Sequence, residues 1–278
     1  MRLIFLTALT MCAFAANSLL TRAAVEGGHL SPAAFAIVRV ASGALILAIL
    51  VAVRGGTLPL LHKSRLTGAV SLTAYVAGFS LAYLTLDAGL GALILFGVTQ
   101  ITMFAHSALT GQTPTSRQLS GAVAAFGGLV LVLWPSGGNV TDPVGAALMV
   151  LAGIGWAAYS IAGRTATDPL AATGANFLLC LPLLIAVLLL GGIGLDGDTW
   201  GITFAVISGG LMSGLGYALW YNVLRQMQGT TAAVVQLSVP IIAIAAGALM
   251  LGETVQPVVI VAAALVVGGI GWAVTAKR

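Results

Sequence analysis

Residues 14–22 read Phe-Ala-Ala-Asn-Ser-Leu-Leu-Thr-Arg, and residues 156–164 read Trp-Ala-Ala-Tyr-Ser-Ile-Ala-Gly-Arg. Five pairs share one offset (156 − 14 = 142): Phe14/Trp156, Ala15/Ala157, Ala16/Ala158, Ser18/Ser160 and Arg22/Arg164. Further on, Ser31-Pro32 answers Asp168-Pro169, and Tyr83 answers Tyr221. Gly111-Gln112-Thr113 answers Gly252-Glu253-Thr254, and Gly127-Gly128 answers Gly268-Gly269. The chain therefore reads as one unit written twice, over 1–137 and 138–278. Paired copies of one apolar bundle are a recurring architecture of membrane carriers.

Composition places the chain in the bilayer. Hydrophobic residues make up 59% and charged residues 6%. Mean hydropathy is +1.09, far above what a soluble core requires. A helix needs about 20 apolar residues to span the membrane. Ten stretches qualify: roughly 3–24, 31–53, 65–86, 89–110, 116–135, 142–164, 171–191, 199–223, 230–250 and 256–276. Turn chemistry separates them, as at Gly27-Gly28, Gly55-Gly56, Asp168-Pro169 and 194–198. The expected fold is all-α and integral to the membrane, with ten transmembrane helices in two five-helix repeats. Five is odd, so the second repeat must run inverted relative to the first.

Basic residues set the orientation. With the N-terminus cytoplasmic, that side carries Arg2, Arg54, Lys63, Arg65, Arg117, Arg164, Arg225, Lys277 and Arg278. The other side carries only Arg22, and Arg39 lies within the second helix. This is a positive-inside distribution with both termini cytoplasmic. It accounts for the isoelectric point of about 9.4 without a nucleic-acid partner.

Several other classes fall away. Residues 1–16 resemble a signal peptide, but the match of 14–22 to an internal helix argues that the segment is retained. Cys12 and Cys180 both fall inside predicted spans, so no disulfide framework is expected. His-Glu-x-x-His and Gly-x-Ser-Gly are absent, and His29, His62 and His106 are far apart. Neither catalysis, a metal site nor a cofactor is expected.

Polar and aromatic residues deep in a span need a partner or a cavity. Tyr75, Phe79 and Tyr83 recur every four residues and share one face of the third helix. Their matches on the eighth are Ser213, Tyr217 and Tyr221. The alternative use of Tyr83, Trp220 and Tyr221 is an interfacial belt. On the first helix Phe14 and Asn17 share a face with Thr10 and Thr21, and their matches on the sixth are Trp156 and Tyr159. Trp156 lies at mid-span, where its indole N–H needs a partner or water. Gln100 and Gln236 on the fourth and ninth helices face a cavity or bridge helices.

Arg39 has two open uses, as countercharge to a substrate carboxylate or as a brace on backbone carbonyls, and its match is neutral Asn176. Pro182 and Pro240 are placed to kink the seventh and ninth helices. No Asp or Glu falls at mid-span. That weakens export of cationic drugs by proton coupling, and it makes gradient-driven transport the default. A cavity of Trp, Tyr, Phe, Asn and Gln suits a neutral or zwitterionic solute with an apolar or aromatic body.

At this point the pattern resembles the drug/metabolite transporter superfamily, in its ten-helix form of two EamA-type repeats. The resemblance covers the whole chain. It is most specific at Tyr221-x-x-Leu224, at Pro240, and at Gly252-Glu253-Thr254 opening the last helix. The first half departs from the pattern, with Thr99 at the Pro240 position and Gln112 at the Glu253 position. Within the superfamily it is most similar to bacterial YddG-type exporters of aromatic amino acids.

The resemblance implies export across the inner membrane of amino acids or similar metabolites, by alternating access through a central cavity. The carrier would act as a monomer. Helices 1, 3, 4, 6, 8 and 9 would line the cavity, and helices 5 and 10 would brace it. Aromatic side chains would stack on the substrate, and Asn17, Gln100 or Asn222 would bind its polar groups. Other cargo on the same scaffold stays open: a nucleoside or purine, a threonine-like amino acid, or a cationic drug. A non-transporting assembly subunit is the alternative from another class.

Overall fold

Ten helices run through the described residues of the computed structural model, which are 2–111, 115–133, 141–163, 166–190, 194–224, 226 and 235–274. They are α1 (Arg2–Val25), α2 (Pro32–Val53), α3 (Ser64–Ala82), α4 (Ala88–Leu109), α5 (Ser116–Leu133), α6 (Pro143–Gly163) and α7 (Pro169–Leu190). The eighth, α8, is one rod in three parts: α-helical Thr199–Val206, π-helical Ile207–Leu215 and α-helical Gly216–Leu224. Then come α9 (Ser238–Met250) and α10 (Pro257–Val274). Five of them, α1, α2, α4, α6 and α7, are long and apolar enough to cross a bilayer.

Helix boundaries follow cap chemistry. Ser31 caps α2 by accepting from Ala34 N–H at 3.2 Å, with Pro32 at the first helical position. Asp168 does the same ahead of Pro169, accepting from Leu170 and Ala171 N–H. Asp142 accepts from Gly145 N–H at 2.6 Å, and Asp198 from Gly201 N–H at 2.9 Å. Gly111 and Gly252, matched in the sequence, both take positive φ just beyond α4 and α9 (92° and 68°). A side chain there would be strained, which is why glycine ends these helices.

Packing pairs α5 with α10, α3 with α6 and α7, α2 with α7 and α8, α4 with α6 and α9, and α1 with α8 and α9. Glycines allow the closest of these approaches. A Cβ on Gly155 of α6 would sit 2.8 Å from Tyr75 N of α3, and one on Gly78 of α3 would sit 2.6 Å from Leu148 O of α6. Backbone contact of this kind is the usual means of helix association in lipid. It brings the Tyr75 ring to 5.0 Å from that of Trp156.

The π-helical part of α8 has a direct reason. Ser208 and Ser213 both donate to Asn17 Oδ1, at 2.7 and 3.4 Å. Residues five apart in an α-helix point about 140° away from each other, since each residue turns about 100°. The wider i→i+5 winding brings them onto one face. Gly209 and Gly214, also five apart, face α2, where a Cβ would collide with the Arg39 carbonyl and the Ile46 side chain.

Proline placement differs between the two candidates. Pro182 lies inside α7, as expected. Pro240 falls in the first turn of α9, after a turn at Leu237, where its missing N–H costs no helical bond. Val235 and Gln236 ahead of that turn are also helical, so the helical path is interrupted at Leu237, three residues before Pro240.

Candidate functional site

Five helices converge on one small space between them. Phe14, Asn17 and Ser18 of α1, Tyr75 and Phe79 of α3, Leu95 and Phe96 of α4, Trp156 of α6 and Tyr217 of α8 line it. The void admits water centres over about 10 Å³, room for a single water. Its walls are rings in contact. Phe14 sits edge-on to Trp156, Tyr217 and Trp220, at 6.3, 5.8 and 5.9 Å between centroids. Trp156 packs on Tyr75 at 5.0 Å and on Tyr217 at 5.2 Å.

The structure brings together Phe14, Asn17, Tyr75, Phe79, Trp156 and Tyr217 from the sequence candidates. Others take different places. Tyr159 stacks behind Trp156 at 5.6 Å, outside the lining. Tyr83 is fully buried one turn beyond Phe79, edge-on to it at 4.8 Å, and its ring occupies the space that Gly91 leaves open. Trp220 is buried against Phe14. Neither Tyr83 nor Trp220 belongs to a lipid-facing belt.

Gln100 is half-buried one turn past Phe96 and does not reach the void. Asn222 is exposed, and its side chain and carbonyl accept from Gln226 at 3.1 Å. The side chain of Tyr221 lies outside the described residues, as do Gln112, Arg164 and Arg225.

A buried hydrogen-bond network stands behind the polar end of the void. Arg39 is 1% exposed. Its Nε donates to Ser213 Oγ at 3.2 Å, and its Nη2 donates to Tyr75 Oη at 2.9 Å. Its guanidinium lies over the Phe79 and Tyr75 rings, 4.9 and 5.4 Å from their centroids. Ring faces and hydroxyls offset part of the cost of burying this charge. Ser213 in turn donates to Asn17 Oδ1. Among the described residues no carboxylate pairs with Arg39. The backbone-brace role is not what the structure shows, since both side-chain bonds go to hydroxyls.

Polar contacts also gather at the end of the bundle that carries Arg22. Arg22 Nη1 donates to the Tyr83 carbonyl at 3.2 Å. Its guanidinium lies 3.4 Å from Asp87 and 3.8 Å from Glu253. Glu253 reaches across to cap α4, accepting from Ala88 N–H at 2.6 Å and Gly89 N–H at 3.4 Å. Burial pushes the Glu253 carboxyl above its ordinary range, outweighing these amides and Arg22. His29 bonds Asp198 at 2.8 Å and holds that carboxyl below its usual range, with the Gly201 amide helping.

Residues 143–275 match the EamA-like transporter family. An uncharacterized protein of Pseudomonas aeruginosa is 42% identical over 271 residues, covering 97% of this chain and 93% of its own length. The chain belongs to the EamA-like transporter family, within the drug/metabolite transporter superfamily. It is a multi-pass membrane protein whose family carries small molecules across the bilayer. A crystal structure matches the fold with a TM-score of 0.71 at 18% identity, over 97% of this chain and 98% of that one.

Three features of the site escaped the sequence. The π winding of 207–215, the cap that Glu253 places on α4, and the Arg39–Ser213–Asn17 chain all depend on contacts between helices. Only the first left a signal, in the paired spacing of Ser208-Gly209 and Ser213-Gly214.

Proposed function

We propose that the chain exports amino acids with aromatic side chains, or metabolites of similar shape, across the bacterial inner membrane. The observation that carries this is the ring-lined void at the meeting point of α1, α3, α4, α6 and α8. Aromatic walls favour a planar apolar body, and the hydroxyls and amide at one end favour a polar head. Alternating access through this cavity is the mechanism: the void holds one water, so an amino acid enters only when the rings separate. A gradient-driven, monomeric carrier of the YddG type, with both termini cytoplasmic, fits the charge distribution.

The packing supports reading the halves as inverted repeats. The contact of α3 with α6 is mirrored by that of α8 with α1, and the contact of α4 with α6 by that of α9 with α1. The contacting pairs α2–α7, α4–α9 and α5–α10 are each a helix and its own match in the other half, as a two-fold relation between the halves requires.

The test is uptake of labelled phenylalanine, tryptophan, threonine and adenosine into proteoliposomes, with and without a pH gradient. Selective flux of the two aromatic amino acids without the gradient is expected. Trp156→Ala and Tyr75→Ala should depress aromatic flux more than threonine flux. No uptake of either aromatic amino acid would remove the assignment.

A further inference from the structure

The direction of each bond around Arg39 defines what the cavity offers a ligand. Arginine only donates, so Ser213 Oγ and Tyr75 Oη act as acceptors toward it. The Ser213 proton then goes to Asn17 Oδ1, which also accepts from Ser208. Asn17 lines the void, and with its carbonyl oxygen engaged twice its Nδ2 is the group it has left to give. Tyr75 also lines the void, and its hydroxyl proton is not used in the bond with Arg39, where the oxygen accepts. Arg39 Nη1 is buried with no hydrogen-bond partner. No Asp or Glu lines the space.

We propose that this end of the cavity is a carboxylate site: a ligand carboxylate accepts from Tyr75 Oη and Asn17 Nδ2, with Arg39 as its countercharge. The proposal rests on the exporter reading, in that the ring-lined void is the substrate site. It narrows the substrate class to aromatic carboxylates and makes the α-amino group dispensable. A ligand ammonium would find no carboxylate in the lining and would meet the charge of Arg39. Charged groups in so dry a space interact strongly, so the site discriminates by head group as well as by ring.

The experiment is calorimetric binding to the purified protein in detergent, with four probes sharing one ring: phenylalanine, 3-phenyllactate, phenylalaninamide and phenylethylamine. Phenylalanine and phenyllactate should bind with dissociation constants within about tenfold of each other. Phenylalaninamide and phenylethylamine should bind at least about tenfold more weakly, the usual scale for a lost charge-assisted bond. Arg39→Gln should erase the preference. If that variant fails to fold, Tyr75→Phe keeps the ring, removes the donor and should weaken phenyllactate by about tenfold. Equal binding of acids, amide and amine would overturn the carboxylate site while leaving the aromatic cavity in place. Binding of none of the four would overturn both.

Discussion

Glu253 gives the sharpest test of how the Arg22 end is held together. Asp87 occupies the N-cap position of α4 but makes no side-chain cap bond; its carboxylate faces Arg22 instead. Glu253 supplies the missing acceptor from the loop between α9 and α10, with its side chain 9% exposed. Removing it leaves the N–H of Ala88, a fully buried residue, without its acceptor. A charge-assisted bond contributes about 1.5–3 kcal/mol, and an orphaned buried donor costs about 1–3 kcal/mol. Glu253→Ala should therefore destabilise by about 3 kcal/mol, roughly a hundredfold in the unfolding equilibrium.

Glu253→Gln keeps one acceptor oxygen and removes the charge that burial opposes. Its loss should be about 1 kcal/mol or less. The pH dependence has a definite sign. The folded carboxyl titrates above the unfolded value of about 4.3. Its stabilising contribution is therefore complete below that value and is lost as pH rises through the folded one. The assay is urea or SDS unfolding in mixed micelles, comparing wild type with both variants across pH 4–7. If Glu253→Gln proves as damaging as Glu253→Ala, or the wild-type minus Gln difference grows with pH, the charge rather than the acceptor holds α4.

Neighbouring glycines should separate cleanly. A Cβ on Gly269 would meet Gly121 O at 2.6 Å and Ala125 N at 2.8 Å, whereas one on Gly268 meets nothing within 4 Å. Gly269→Ala should cost about 1–3 kcal/mol in the same unfolding assay, and Gly268→Ala should be neutral or slightly stabilising. On the loop between α7 and α8, the depressed Asp198 carboxyl adds stability at neutral pH that is lost as pH falls below the ordinary carboxylate range. A carboxyl-carbon NMR titration should place its midpoint below about 3.9, and His29→Gln should raise it; an unmoved midpoint would count against the bond. Ser208→Ala should leave Asn17 Oδ1 with only its longer 3.4 Å partner. It should lower aromatic flux with little change in unfolding, and an equal fall in both would make the bond purely structural.

Periodicity and turn chemistry carried the architecture a long way. Apolar runs located the helices, Ser31-Pro32 and Asp168-Pro169 located two of their starts, and the four-residue stripe from Tyr75 to Tyr83 located a buried face. A repeat tells which residues share a face but not how far along it the neighbour's contact lies. Gln100 illustrates this, standing one turn beyond Phe96 and short of the void. Asn222 is five residues from Tyr217, about 140° round an α-helix, and so points away from the ring cluster. Arg39 stayed ambiguous because its partners, Tyr75 and Ser213, come from two other helices. Gln112, the first-half match to Glu253, lies outside the described residues.

Edge-to-face rings around room for one water also decide what the membrane keeps. A proton crosses protein along an unbroken file of water, and a solitary molecule walled by Phe14, Phe79 and Trp156 forms no such file. In this conformation the space between these rings is therefore not itself a path for protons.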